Sequence, residues 1–333
     1  MTKTRTELAA KNLFEAATVA LVCHVNPDGD TVGAALALKA VLEKLSKTAE
    51  VFCDDFPYEK LSILQNFEKI NTSSEKKFDL AVAVDFSETS RGGVSAKYFK
   101  HAKKTLAVDH HKGLQSNFGC ALADSSAAAT CELVYFVIRE LEKLSGKPLM
   151  DDEVAKCLFV GLVTDTGCFR FSSVTARTME VVCELYKFSF DASGIIFKML
   201  SETSRSVFML KSRVLAKTKF FFDDRVAVIT FRKDDFSETG TSPENTEGVV
   251  QELIAIKGVD VAVSICEAGE KSFKISVRSS EKVDAADMLS FFGGGGHKRA
   301  AGARLSGYYE DVLDKILKAC GDVLLLKKSF PVS

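Results

Sequence analysis

The feature that most limits the fold of this chain is a series of short apolar runs that alternate with amphipathic stretches between residues 18 and 167. Runs at residues 19–23, 50–53, 80–84 and 105–108 have the length and composition of buried strands. The stretches between them include apolar residues at helical spacing. Strands that alternate with helices on this scale predict an α/β fold with a parallel sheet and flanking helices.

The length of 333 residues exceeds what one core usually supports, so two domains are expected. We assign residues 1–190 to the first domain, 191–218 to a helical linker and 219–333 to a second, smaller α/β domain. In the first domain we expect helices over residues 32–45, 133–144, 153–163 and 175–188. In the second we expect strands over residues 226–231, 259–265 and 272–277 and a final helix over 308–319. The active site is expected in the cleft between the two domains.

Composition limits both the substrate and the compartment. Lys and Arg total 44 against 45 Asp and Glu, so the chain lacks a global positive field for a long polyanion, and short substrates are favoured. The nine cysteines form no C-x-x-C pair, as expected for reduced thiols in a reducing compartment. The sequence contains no recognisable signal peptide or membrane span, so we expect a cytoplasmic protein with no membrane partner.

Acidic and histidine residues follow three of the four predicted strands directly. They are His24, Asp28 and Asp30 after the first, Asp85 after the third, and Asp109, His110 and His111 after the fourth. Open parallel sheets form their sites just beyond the carboxyl ends of strands, so these side chains should meet. Carboxylates with a few imidazoles suit Mn²⁺ or Mg²⁺ better than zinc, which favours thiolates.

Each of these residues has an ordinary structural explanation when it is considered alone. An isolated Asp is more often a helix cap, and an isolated His is more often a satisfied core or surface residue. However, four of only five histidines fall in motif-like segments, so chance placement explains the pattern poorly. Asp165 follows a predicted helix, where the helix dipole disfavours an acid, and a nearby cation would explain its position.

The predicted second domain contains a run of four glycines, residues 293–296, that is followed at once by basic residues. Consecutive glycines let backbone N–H groups approach an anion, whereas a flexible linker would continue in Gly and Ser. We therefore favour a phosphate-binding segment that includes Gly294, Gly295, Gly296, His297 and Lys298. Arg278, at a predicted strand end, and Arg91 are further candidates, although a surface ion pair explains Arg91 nearly as well.

These motifs resemble those of the DHH phosphoesterase family, in particular its NrnA-like branch, which joins a DHH domain to a DHH-associated domain. The four motifs of the first domain are similar to residues 24–30, Asp85, residues 109–111 and residues 161–167. The signatures of the associated domain are similar to residues 246–248 and 293–302, and the resemblance covers most of the chain. One departure is Gln251, where relatives often have Asn.

The resemblance implies two metal sites that share one ligand, formed by His24, Asp28 and Asp85 and by Asp30, Asp85, His110 and Asp165. It implies that His111 contacts the scissile phosphate or assists the leaving group, and that Asp109 orients the histidines. Arg278 and His297 would bind the other phosphate or the terminal nucleotide of the substrate. The family also suggests a homodimer.

The function expected from these observations is hydrolysis of phosphate esters by water that divalent cations activate. We expect two Mn²⁺ ions, with Mg²⁺ or Co²⁺ as alternatives. The expected substrates are short oligonucleotides (nanoRNA and dinucleotides), 3′-phosphoadenosine 5′-phosphate, or both. Two alternatives stay open: a phosphodiesterase for linear or cyclic dinucleotide signals, and a non-catalytic nucleotide sensor. A degenerate sensor would have lost ligands, whereas every expected ligand position is filled here.

Overall fold

A computed structural model of the chain describes residues 3–55, 59–71, 73–111, 117–246 and 248–325. The chain divides into two compact units, Met1–Glu202 and Thr203–Ser333. This division falls within the segment that the sequence assigns to a helical linker, and the linker boundaries at residues 191 and 218 stay a prediction. None of the helices in the described ranges has the length and apolar content needed to cross a membrane.

The first unit is formed by a parallel sheet with helices on its faces. Its strands are β1 (Thr18–Cys23), β2 (Thr48–Phe52), β3 (Leu80–Val84), β4 (Lys104–Asp109) and β5 (Cys120–Ala123). Its helices are α1 (Lys3–Glu15), α2 (Gly29–Lys44), α3 (Lys97–His101), α4 (Thr130–Ser145), α5 (Asp152–Asp165), α6 (Ala176–Leu185) and α7 (Ala192–Ile196). Short 3-10 segments lie at Glu59–Ile63, Phe67–Lys69 and Thr89–Ala96, and a π-helical turn lies at Phe197–Ser201.

The strand order in this sheet is β2-β1-β3-β4-β5, and every pairing is parallel. Alternate strand residues face opposite apolar layers, as Leu21 does toward α2 and α5 and Val22 toward Tyr98. Both faces are therefore covered, which a parallel sheet requires. The chain passes from β1 to one neighbour, β2, and then to the other, β3. The carboxyl ends of β1 and β3 thus flank the switch point at which open sheets bind ligands.

The second unit has a mixed sheet. Its strands are β6 (Lys219–Phe221), β7 (Val226–Phe231), β8 (Val261–Gly269), β9 (Ser272–Ser279), β10 (Gly295–His297) and β11 (Ala300–Ser306). Its helices are α8 (Arg205–Leu215), α9 (Lys233–Thr239), α10 (Val249–Ile254), α11 (Ala285–Ser290) and α12 (Tyr309–Leu325), with a 3-10 segment at Pro243–Thr246. The strand order is β10-β11-β9-β8-β7-β6, with β7 and β8 parallel and the other pairs antiparallel. One face packs on α11 and α12, and the other on α8, α9 and α10.

The predicted α/β class and the parallel sheet of the first unit are confirmed. Three differences have physical causes. The segment 192–215 is helical in three pieces rather than one, because Ser204 starts a new helix by accepting a hydrogen bond from the Val207 N–H. Strand β5 was not predicted, because it is short and only partly buried. Part of the glycine run forms strand β10, which pairs with β11.

Candidate metal centre and substrate-binding residues

The six predicted metal ligands lie in clusters at the carboxyl edge of the parallel sheet. The clusters are His24, Asp28 and Asp85; Asp30, His110 and Asp165; and Asp85, His110 and His111. Within each cluster the potential ligand atoms lie within 4.8 Å of one another. The structure thus brings together residues that are far apart in sequence, such as Asp30 and Asp165 in one cluster. Their individual roles stay a prediction.

The two acids that follow β1, Asp28 and Asp30, differ in position and burial. Asp28 is the N-cap of α2, and its Oδ1 accepts hydrogen bonds from the N–H groups of Asp30 (3.0 Å) and Thr31 (3.1 Å). Asp30 lies in the first helical turn and is fully buried, whereas Asp28 is exposed. The Thr31 hydroxyl donates to the Val84 carbonyl at 2.7 Å, so the start of α2 is tied to the end of β3.

Asp85 lies at the centre of these clusters and has an unusual backbone conformation. Its φ of 68° is left-handed, which costs a non-glycine residue about 1–2 kcal/mol. Its backbone N–H donates to the Val108 carbonyl at 2.8 Å and so holds it in this position. Its carboxylate oxygens lie 3.3 Å from Nε2 of His24 and 3.6 Å from Nε2 of His110. The two imidazoles therefore converge on one buried acid.

Two buried nitrogen atoms in this cluster test whether a metal fits. The Nε2 atoms of His24 and His110 have no hydrogen-bond partner in the part of the chain that the structure describes. Their Nδ1 atoms lie 2.8 Å and 3.3 Å from the carbonyls of Val25 and Ala127, which suits an Nδ1–H donor. Once a cation displaces the proton on Nε2, this tautomer directs the lone pair of each Nε2 toward the carboxylates. Lone pairs and carboxylates directed at the same space form a donor set that fits a divalent cation.

The charges of the cluster lead to the same conclusion. Burial together with the charges of Asp85 and Asp28 outweighs His110 and raises the pKa of Asp165 to about 6. Burial lowers the pKa of His24, but the nearby carboxylates of Asp28 and Asp85 raise it to about 10, so a cation would bind there in place of the Nε2 proton. Burial and the neighbouring acids also raise the pKa of Asp30 well above its ordinary value. This concentration of carboxylates is what a bound cation would stabilise in ionised form.

The N-terminus of α4 supports two of these ligands, Asp30 and Asp85, and sequence reasoning missed it. The backbone N–H groups of Thr130 and Cys131 donate to the Asp30 carboxylate at 2.6 Å and 2.9 Å. The Thr130 hydroxyl donates to Asp85 Oδ1 at 2.7 Å. The N-terminus of α4 therefore offers its free N–H groups and positive dipole end to an acid. The available signal was a threonine ahead of an apolar helical pattern, which marks a helix start but not a ligand contact.

A buried ion pair between Glu132 and Arg177 stabilises the start of α4. Glu132 is fully buried, and its carboxylate accepts from Arg177 Nε at 2.5 Å and from the Thr178 hydroxyl at 2.8 Å. The same carboxylate accepts from the Ala128 N–H at 3.2 Å. Arg177 also bonds Asp124 at 3.0 Å. The network thus fixes both ends of the segment that reaches Asp30 and Asp85.

Gly161 permits the close approach of α5 that brings Asp165 to the cluster. A Cβ atom at this position would lie 2.3 Å from Cys131 Sγ and 2.7 Å from Asp30 Oδ1. Asp165 is the last residue of α5, the position that the sequence analysis marked as unfavourable for an acid. Its Oδ2 lies 3.2 Å from Nε2 of His110.

His111 is oriented by its neighbour Asp109. The buried Asp109 carboxylate accepts from the His111 backbone N–H at 3.0 Å and lies 2.8 Å from its Nδ1. Although burial raises the pKa of Asp109, the hydrogen bonds with His111 lower it to about 2, so it is a carboxylate at neutral pH. An Nδ1–H that donates to Asp109 leaves Nε2 of the more exposed His111 available to another group.

In the second unit, pairing across three strands aligns two of the predicted substrate-binding residues. Arg278 of β9 pairs with Ala300 of β11, which pairs with His297 of β10. Directly paired residues point to the same face of a sheet, so the guanidinium and the imidazole flank a small side chain. With its amide oriented to match its partners, Gln251 accepts from Arg278 Nε and Nη2 at 3.2 Å.

The glycine run forms part of a β-hairpin rather than a linker. A Cβ atom at Gly294 would lie 2.5 Å from the Gly302 carbonyl, and one at Gly296 would lie 2.4 Å from the Ala300 carbonyl. Both glycines are therefore needed for hairpin packing, whereas Gly295 faces open space. The Lys298 carbonyl accepts from the Ala285 N–H at 2.7 Å, which ties the hairpin to α11. Phosphate binding by this segment stays a prediction, as does the Glu247 motif position, which lies outside the described residues.

Arg91 lies in the 3-10 segment after β3. Its carbonyl accepts from the Val25 N–H at 2.8 Å, so this segment lies beside the loop that follows His24. Its side chain is partly exposed. The structure thus positions Arg91 near the first metal cluster, and its contact with a substrate stays a prediction.

The parallel sheet with imidazoles and carboxylates at its carboxyl edge defines an α/β protein with a candidate metal centre. Residues 18–162 match the DHH family, N-terminal domain, and residues 223–324 match the DHHA1 domain. The chain belongs to the DHH family, as the relatives described next also show.

Curated relatives match along most of the chain. It is 32% identical over 305 residues to the bifunctional oligoribonuclease and PAP phosphatase NrnA of Thermus thermophilus, covering 89% of this chain and 88% of the relative. It is 25% identical over 301 residues to the protein of the same name from Bacillus subtilis, covering 90% and 92%.

Solved structures share the fold. An exopolyphosphatase-related protein from Bacteroides fragilis has a TM-score of 0.89 at 25% identity and covers 98% of this chain and 100% of its own. An exonuclease RecJ structure bound to manganese has a TM-score of 0.62 at 14% identity, covering 98% of this chain and 95% of its own, which supports the fold alone.

Proposed function

We propose that this chain is a metal-dependent phosphoesterase that hydrolyses short oligonucleotides, 3′-phosphoadenosine 5′-phosphate, or both. The observation that carries the proposal is the pair of buried Nε2 atoms of His24 and His110, which face Asp85 and Asp165 and have no hydrogen-bond partner among the described residues. The names of the Thermus and Bacillus relatives support the substrate class.

Two divalent cations, Mn²⁺ by preference, fit the available ligands. The first would be held by His24, Asp28 and Asp85, and the second by Asp30, Asp85, His110 and Asp165. When bound, such ions lower the pKa of a water nucleophile and stabilise charge on a phosphate. Mn²⁺ accepts the mixed imidazole and carboxylate set more readily than Mg²⁺, which prefers oxygen ligands.

The protein's own groups would orient the reacting phosphate. The Asp109 carboxylate holds the His111 ring by its Nδ1–H, so Nε2 can donate to a phosphate oxygen or to the leaving group when it is protonated. Thr130 and the N-terminus of α4 fix the carboxylates of Asp85 and Asp30 in place. Ligand geometry that is fixed in advance lowers the reorganisation needed during the reaction.

Arg278 and His297 of the second unit would bind a phosphate or the terminal nucleotide of the substrate. Gln251 holds the Arg278 guanidinium by two of its nitrogens, which fixes the direction of the remaining N–H groups. A guanidinium with fixed orientation can fork onto a terminal phosphate. The formal net charge of -1 provides no broad basic surface, so such local contacts would favour short substrates.

The test is an assay of the purified chain with Mn²⁺ on a ladder of RNA and DNA lengths, 3′-phosphoadenosine 5′-phosphate and cyclic dinucleotides. We expect turnover of the shortest RNAs or the adenosine bisphosphate, and its loss in Asp85→Asn with unfolding temperature maintained. Asp314→Asn, a surface change on α12, is the matched control and should retain full activity. Binding of a dinucleotide without hydrolysis in Mn²⁺ would contradict the proposal and favour a sensor.

A further inference from the structure

The turn that follows Asp165 has an unusual backbone. Gly167, Cys168 and Phe169 are all left-handed, with φ values of 55°, 58° and 62°. Two of the three are not glycine, and the left-handed conformation is unfavourable for such residues. Strained conformations of this kind persist where surrounding contacts fix them, and they cluster at functional sites.

Hydrogen bonds to the end of α5 fix this turn. The Cys168 N–H donates to the Val163 carbonyl at 2.8 Å. The Phe169 N–H donates to the hydroxyl of the fully buried Thr166 at 2.9 Å, and the Phe171 N–H donates to the Thr166 carbonyl at 3.1 Å. The turn is therefore a rigid continuation of the helix that carries Asp165.

The turn places one aromatic ring in the protein interior and another at the surface. Phe169 packs inward against Phe159, with ring centroids 6.2 Å apart. Phe171 points outward and is 55% exposed, and its ring lies over Gly167, where a Cβ atom would be 2.7 Å from Cζ. Since Phe171 bonds the residue directly after Asp165, bond lengths keep its backbone nitrogen within about 9 Å of the Asp165 Cα.

The turn that carries the Phe171 ring also carries a positively charged side chain, Arg170. Arg170 Nε donates to the Gly167 carbonyl at 2.6 Å, which attaches the guanidinium to the same turn. Within the described ranges, the Arg170 guanidinium has no carboxylate partner. An aromatic face and a positive charge on one rigid turn match a nucleotide, which combines a base that stacks on aromatic rings with an anionic phosphate.

We propose that Phe171 is a stacking surface for the base of the nucleotide whose phosphate reaches the metal centre, a role that rests on the function proposed above. Isolated exposed phenylalanines are common and need no explanation. Here a strained turn just after the candidate ligand Asp165 holds the Phe171 ring. A ring that must keep a fixed orientation beside the metal centre would explain both the strain and this position.

The test measures binding of AMP and of ribose 5-phosphate to the full chain in Mn²⁺ by calorimetry. The wild-type protein should bind AMP more tightly than the sugar phosphate, which lacks the base. Phe171→Ala should weaken AMP binding about tenfold, a modest value for one stacked base, and leave ribose 5-phosphate binding unchanged. Phe171→Trp should retain AMP binding, whereas Phe171→Leu, which keeps apolar area but no ring, should not.

The matched control is Leu144→Ala, which removes an apolar side chain that is 48% exposed near the far end of α4. It should change neither affinity. Equal AMP binding by the wild-type protein and Phe171→Ala, or equal losses for both ligands, would overturn the stacking role. A wild-type protein that prefers AMP but hydrolyses neither short oligonucleotides nor 3′-phosphoadenosine 5′-phosphate would instead contradict the proposed function without contradicting the stacking role.

Discussion

Replacing Thr130 by Val should weaken metal binding while leaving the fold in place. The hydroxyl of this fully buried residue donates to Asp85 Oδ1 at 2.7 Å, and Val has nearly the same shape. The Thr130 N–H still reaches Asp30, so only the support of Asp85 is removed. A hydrogen bond to a charged group contributes about 1.5–3 kcal/mol, which corresponds to roughly a 10- to 150-fold change in an equilibrium constant. Losses of about 10- to 100-fold are typical when a group that supports a metal ligand is removed.

The assay is a calorimetric titration of the metal-free protein with Mn²⁺, together with turnover at saturating metal. Thr130→Ser restores the hydroxyl and should recover most of the affinity. Thr6→Val is the matched control, because the buried Thr6 hydroxyl has no hydrogen-bond partner among the described residues. Its loss should leave metal affinity unchanged and maintain or raise the unfolding temperature. Wild-type Mn²⁺ affinity in Thr130→Val would refute the claim that this hydroxyl supports a ligand.

Three further predictions concern the cluster and the second unit. Gly161→Ala should lower both the unfolding temperature and Mn²⁺ affinity, since its Cβ would collide with Cys131 and Asp30; unchanged values would show that α5 can shift freely. Because the native pKa of Asp165 is about 6, above its unfolded value, ionisation costs the metal-free protein stability as pH rises from about 4 to 6. With a chelator present, the unfolding temperature should fall less between pH 4 and 6 in Asp165→Asn than in the wild-type protein. Parallel falls in the two proteins would count against a raised pKa of Asp165. Arg278→Ala should raise KM for a 5′-phosphorylated dinucleotide with little change in kcat. A fall in kcat with KM unchanged would exclude a role limited to substrate binding.

The proximity of the candidate ligands could be predicted because local patterns determine it. Short apolar runs identify parallel strands, and the carboxyl ends of such strands must meet at one edge. Residues that directly follow β1, β3 and β4 were therefore expected near one another before the fold was known. Asp165 could be added only because an acid at a helix end needs an explanation.

The support around the ligands could not be predicted, because it depends on tertiary approach. Thr130 is 45 residues from Asp85 and has no motif of its own. The ion pair of Glu132 and Arg177 likewise joins a helix start to a later helix 45 residues away. The sequence indicated that the glycine run is not a flexible linker, and part of it is a strand. Its pairing with β11 depends on strand register, which composition does not determine.

The central claim is that carboxylates and imidazoles from separate loops hold two divalent ions. It is tested most directly by diffraction from crystals grown with Mn²⁺, with anomalous scattering recorded at the manganese absorption edge. We predict two peaks that share Asp85 as a ligand, one beside His24 and the other beside His110 and Asp165. A single peak, or none within reach of Asp85, would contradict the claim.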